Sequence, residues 1–145
     1  KDACLIGIKR KRKRKKIPKF GKTSKKRLAT CDEDLVDLFN EVIKYFDCTI
    51  LEGHRGKDLQ NKYYNEGKSK VKYPKGRHNA NPSHAVDVVP YPVDWKDTDR
   101  MYYFAGVVKG IAEMLEIKIR WGGDWDNDTE VKDTGFKDLP HFELL

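Results

Sequence analysis

The chain has 145 residues, 38% of them hydrophobic, which is enough for one packed core but not for two. Its net charge of +7 is unevenly placed: residues 1–27 hold 14 Lys/Arg against the single acid Asp2, whereas residues 28–145 hold 16 against 22 acids. No run approaches the roughly 20 apolar residues of a membrane helix, and Cys4 to Ile8 is too short for a signal-peptide core, so a soluble domain without a transmembrane segment is expected. Three cysteines (Cys4, Cys31 and Cys48) at no metal-ligand spacing speak against a disulfide framework or a cysteine-type zinc site, and a reducing compartment of synthesis is the default.

Eight consecutive cations run from Lys9 to Lys16. Such a block repels itself and buries nothing, so residues 1–26 read as a basic, disordered leader and residues 27–145 as the folded domain. The leader is either simply solvated or drawn to a polyanion: an anionic cell envelope or nucleic acid. No aromatic is interleaved in the block to stack on bases, so specific nucleic-acid binding is not expected.

Thr30 followed by Glu33 fits a capping box, and Leu35, Leu38, Phe39, Val42, Ile43 and Phe46 recur at three- and four-residue steps, which predicts an amphipathic helix over 31–46. Cys48 to Leu51 reads as a strand running into a turn at Glu52-Gly53, and a second helix over 57–66 stops at Gly67. Residues 68–84 form a long polar loop of a length that is functional or disordered in compact domains. Ala85 to Val89 is a strand closed off by Pro90 and Pro92. Asp97 to Asp99 caps a third helix, whose buried stripe is Met101, Phe104, Val108, Ile111, Ala112 and Leu115. Ile117 to Trp121 is a strand, Gly122-Gly123 a turn, 126–137 a polar loop and Phe142 to Leu145 a closing strand. The pattern implies α+β architecture: a small, mostly antiparallel sheet with helices packed on one face. A monomer is the expectation for its assembly.

Four histidines are available: His54, His78, His84 and His141. His78 lies nine positions before Asp87 across a Pro-containing loop, and Asp138 lies three before His141 across a Leu-Pro turn. Two imidazoles and one carboxylate, with a fourth position left for water, make a catalytic rather than a structural zinc site. A carboxylate close to the metal but not on it suits the general base, a position Asp138 fills. Spacing alone does not choose between His78 and His84 as the first ligand.

The strings Glu52-Gly53-His54-Arg55, His78 through Ala85-Val86-Asp87-Val88-Val89-Pro90-Tyr91, Trp121-Gly122-Gly123-Asp124-Trp125 and Asp138-Leu139-Pro140-His141-Phe142 resemble phage endolysins that are L-alanyl-D-glutamate peptidases. These are similar to the D-alanyl-D-alanine metallopeptidases and share the hedgehog/DD-peptidase fold. The likeness runs in order from about residue 24 to the C-terminus and leaves the leader out. It implies zinc (Zn2+) on His78, Asp87 and His141, Asp138 as general base, and Arg55 steadying the oxyanion or gripping a substrate carboxylate. It also implies peptidoglycan as substrate for an enzyme made in the host bacterial cytoplasm and acting on the wall after release. Rival expectations are D-Ala-D-Ala carboxypeptidase or dipeptidase action at the same site and a catalytically silent polyanion-binding module.

Two departures stand out. The family's common pattern has a Ser two positions before the first ligand where this chain has Gly76, and two extra residues separate His78 from Asp87. Phage relatives with this Asn/Pro-containing loop lack histidine at the position of His84, which favours His78. Trp121 and Trp125 line a cleft or belong to the core, Asp124 supports a ligand histidine or caps a turn, Glu143 is a fourth ligand or supports His141, and Gln60 supports Arg55. Tyr91 and His54 lie near motifs only by sequence.

Overall fold

The computed structural model describes residues 15–145, so most of the basic block 9–16 lies outside the described residues. The ordered chain begins earlier than the charge pattern suggests. Helix α1 spans Lys22–Leu28, with Lys25, Lys26 and Arg27 in its last turn, where cations suit the helix dipole. Phe20, Ser24 and Leu28 recur every four residues and are buried. The Ser24 hydroxyl accepts from Ile50 N–H at 3.2 Å, and Arg27 Nη1 donates to the Ile50 carbonyl at 3.1 Å. Residues 20–26, assigned to the leader from their charge, thus pack on the first strand through one helix face while their lysines point to water.

Helix α2 covers Glu33–Val42, shorter at both ends than the periodicity implied. Its cap is Asp32, whose carboxylate accepts from Asp34 N–H at 3.0 Å. Thr30 does not form the capping box: its hydroxyl donates to the Arg27 carbonyl and accepts from His54 N–H, joining α1 to the chain that follows the first strand. Strand β1 is Cys48–Glu52, helix α3 Lys57–Asn65 and strand β2 Ala85–Pro90, with a single 3-10 turn, Arg77–Asn79, inside the long loop. Helix α4, Thr98–Met114, is capped by Asp97 as expected, but Leu115 is its exposed C-cap residue rather than part of the buried stripe. Strands β3, Ile119–Gly122, and β4, Asp138–Leu144, close the sheet.

The four strands run in the order β1-β2-β4-β3 with every neighbouring pair antiparallel. Helices α2 and α4 pack on each other, and α4 packs on the sheet. Phe142 meets Phe39 and Phe104 edge-on, with ring centroids 5.5 and 6.0 Å away. Because successive side chains of a strand point to opposite faces, Val86, Val88 and Phe142 enter this core, while Asp87, His141 and Glu143 point to the other face. Helix α3 buries only Gln60 and flanks that second face.

Strand β4 starts at Asp138, four residues before its expected first residue. Trp121 pairs with Phe142 but Gly122 pairs with Asp138, so Leu139, Pro140 and His141 bulge between two ladder positions. Pro140, which lacks an N–H, is tolerated there. The bulge requires a glycine opposite it, since a Cβ on Gly122 would strike the Asp138 carbonyl. Among the described residues, no helix is long and apolar enough to cross a membrane.

Candidate active site

Three side chains converge on the polar face: His78 from the 3-10 turn, Asp87 from the middle of β2 and His141 from β4, where Asp87 and His141 are direct cross-strand partners. His78 Nε2 lies 3.2 Å from Asp87 Oδ1 and 3.2 Å from His141 Nδ1, and these last two atoms are 3.3 Å apart. Three lone-pair atoms at the corners of a nearly equilateral triangle repel one another unless a proton or a cation sits between them. Tetrahedral ligands about 2.0–2.1 Å from a zinc ion stand roughly 3.3 Å from each other, so the triangle has the dimensions of such a site.

The back of each ring is fixed. His78 Nδ1 donates to the Gly53 carbonyl at 2.7 Å, and His141 Nε2 donates to Glu143 Oε1 at 3.1 Å. Each acceptor places the ring proton away from the triangle and leaves the inward nitrogen free to ligate. The electrostatics match. Burial pushes the His141 imidazole down, but the Asp87 and Glu143 carboxylates outweigh it and hold its pKa up at about 9. Burial pushes Glu143 up, yet His141 and Arg77 hold its carboxyl down at about 2, and the two histidines hold Asp87 far below the usual carboxylate range. A field that retains a proton so firmly also favours a divalent cation.

Asp138 Oδ2 lies 4.0 Å from His141 Nδ1, beside the triangle rather than in it. Burial and the Asp87 charge raise its pKa against the pull of the histidines and Arg55, so this carboxyl takes up a proton more readily than a free one. Arg55 faces Asp87 Oδ2 at 3.7 Å, and its guanidinium is braced on every side. Glu52 accepts from Nε and Nη2 at 3.0 and 2.8 Å, Gln60 Oε1 accepts from Nη1 at 3.1 Å, and the Tyr63 ring lies 4.7 Å beneath it. Gln60 meets Arg55 as its spacing suggests, and Glu52 is a further partner. The signal was a carboxylate three positions before a buried arginine.

Gln60 is fully buried and serves as a hub: its oxygen also accepts from Asn79, and its amide donates to Ser69 Oγ and the Val71 carbonyl. This hub explains Gly76, because a Cβ there would crowd Asn79 Oδ1 and Gln60 Oε1. The longer loop before β2 is anchored as well. Ser83 N–H donates to the Thr30 carbonyl and Asp32 N–H to the Ser83 carbonyl, returning the chain to β2 with Asp87 in register.

The site opens into a cleft of about 880 Å³. Trp125 lines it, its ring 5.5 Å from His141 and its Nε1 donating to the Phe136 carbonyl, whereas Trp121 is buried in the core and donates to the Leu139 carbonyl. His84 contributes only backbone hydrogen bonds, to Arg77 and Leu144, and is not part of the triangle. His54 Nδ1 donates to the Ala80 carbonyl, away from the triangle, and Tyr91 is exposed. Asp124 supports no histidine: it accepts from the N–H groups of Asp128 and Thr129 and so caps its own turn. Glu143 meets His141 at the ring nitrogen turned away from the triangle, which rules out a role as fourth ligand.

The sequence model of a family described as phage L-alanyl-D-glutamate peptidase matches residues 17–145. The L-alanyl-D-glutamate peptidase of Escherichia phage T5 is 30% identical over 136 residues, covering 88% of this chain and 98% of that protein. Among solved structures, the Serratia marcescens L-Ala D-Glu endopeptidase ChiX is similar with a TM-score of 0.71 at 29% identity, covering 90% of this chain and 92% of the other.

Proposed function

Since the chain belongs to the phage L-alanyl-D-glutamate peptidase family, we propose that it is a zinc enzyme that cleaves this bond in the peptide stem of bacterial peptidoglycan, with the metal on His78, Asp87 and His141. The observation that carries the metal assignment is the triangle of inward-facing donor atoms, 3.2–3.3 Å on each side, with both imidazoles fixed from behind. Zinc bound there would polarise the scissile carbonyl and bring the pKa of a water to about 7.

The remaining work belongs to the chain. Asp138, adjacent to the triangle and inclined to take up a proton, accepts one from the attacking water and returns it to the leaving amine. Arg55, held in one orientation by Glu52 and Gln60, steadies negative charge near Asp87 and the reacting carbonyl. Trp125 walls the cleft beside His141 and limits access of bulk water. The basic block at residues 9–16 concentrates the enzyme on an anionic envelope once it reaches the wall from the host cytoplasm, where it is made, and the enzyme works as a monomer.

Metal analysis of the purified protein, combined with mass spectrometry of digested peptidoglycan with and without a chelator, tests this reading. Equimolar zinc and chelator-sensitive release of stems beginning with D-Glu are expected. Chelator-resistant cleavage at full rate would overturn the metal assignment, and release of free D-alanine would overturn the choice of bond.

A further inference from the structure

The two ligand histidines sit on segments far apart in the chain, and one buried carboxylate touches both segments. Glu143 Oε1 accepts from His141, while Oε2 accepts from Arg77 Nε at 2.9 Å and from Arg120 Nη2 at 3.3 Å. Arg77 immediately precedes His78 and also donates Nη2 to the Leu144 carbonyl at 3.0 Å. Arg120 stands opposite Glu143 in the β3–β4 register and donates Nη1 to the Trp125 carbonyl. Glu143 is only 4% exposed, so a lone carboxylate there would be costly, and two guanidinium groups hold it in its ionised form. Nε2 of His141 faces a carboxylate oxygen, which accepts, so when the ring is neutral and able to ligate its proton sits on Nε2 and its lone pair on Nδ1, the atom that faces His78 and Asp87.

We propose that Glu143, clamped by Arg77 and Arg120, is the positioning residue of the metal centre: it sets the tautomer of His141 and, through Arg77, ties the turn bearing His78 to the strand bearing His141. The two imidazoles are then presented as one preassembled pair rather than gathered separately by the cation. This inference rests on the assignment of the triangle as a metal site.

The test uses the full chain and three variants, Glu143→Gln, Arg77→Met and Arg77→Lys, with zinc affinity measured by competition with a chromophoric chelator and ligand geometry by the visible spectrum of the cobalt-loaded protein. Glu143→Gln is expected to weaken zinc binding about 10- to 100-fold and to alter the cobalt spectrum, while the metal-free protein melts close to the wild type. Arg77→Met is expected to weaken binding by a smaller factor and Arg77→Lys to recover part of it. Unchanged affinity and spectrum in a folded Glu143→Gln protein would overturn the proposal. So would a metal-free form of that variant melting far below the wild type with its cobalt spectrum unaltered, which would mark the carboxylate as merely structural. If Glu143→Gln does not fold, Arg77→Met decides, since that side chain is 43% exposed and its loss leaves the core intact; wild-type affinity in this variant overturns the proposal. A wild-type protein that binds no zinc would instead sink the metal assignment itself.

Discussion

The two faces of the sheet are built from alternate residues of the same strands and follow opposite rules. On the helical face, Val86, Val88 and Phe142 meet Phe39, Phe104 and Val108 in a core held by shape and burial. On the cleft face, Asp87, His141 and Glu143 are held by hydrogen bonds and paired charges, each tied to a partner from another segment. The apolar face makes the strands rigid, and that rigidity lets the polar face gather charges that would otherwise drift apart or protonate. A single residue step separates His141, proposed to hold the metal, from Phe142, so the geometry of the triangle is inherited from the core directly beneath it.

The comparison can be broken most severely on the polar face. Asp138→Ala should lower cleavage by about 10²–10⁴-fold with zinc still bound, while His141→Ala should lose both zinc and activity; a lysis assay beside metal analysis checks both. A fully active Asp138→Ala protein would remove that residue from the mechanism. On the apolar face, Phe142→Ala should cost about 3–5 kcal/mol of stability by denaturant unfolding. It should also weaken zinc binding, because Phe142 lies between His141 and Glu143 along β4 and fixes that strand from the opposite face; intact zinc affinity would show that the faces are less coupled than the strand geometry implies.

Gln60→Leu probes the cleft without touching the triangle. It leaves Arg55 Nη1 and Asn79 Nδ2 without their shared acceptor, so a loss of about 1–3 kcal/mol is expected, together with a lower turnover rate from a loosened Arg55. The last test is one of pH. His141 holds its proton up to about 9, so at neutral pH zinc must displace that proton. Affinity should therefore rise by up to about tenfold per pH unit and level off near pH 9, with proton release visible by calorimetry in buffers of different ionisation enthalpy. A flat profile between pH 6 and 8 would contradict the field assigned to Asp87 and Glu143.

Much of the apolar face was legible in the sequence, because helix and strand periodicities register burial directly: α2, α4 and the cores of β1 and β2 fall where the patterns put them. The misreadings share a cause, namely local signals overridden by partners distant in sequence. Thr30 looks like a helix cap, but its hydroxyl is drawn to Arg27 and His54. Leu139-Pro140 reads as a turn ahead of the closing strand until the bulge against Gly122 is seen, and the lysines of α1 hide the buried Phe20, Ser24 and Leu28. The polar face was less readable still. Spacing left His78 and His84 equivalent, and only the family resemblance separated them. The roles of Glu52 and Arg77 are not legible in sequence, because a single charged residue carries no sign of what it will face.

The placement of Trp125 gives the molecule a built-in optical gauge. Of the three tryptophans, Trp121 is sealed in the core and Trp95 is largely bathed in solvent, while the third indole lies 5.5 Å from the imidazole of His141. A paramagnetic ion such as cobalt seated on the ligand triangle would quench its fluorescence at that range, so emission from this ring follows occupancy of the centre without a label, and a Trp125→Phe protein supplies the blank.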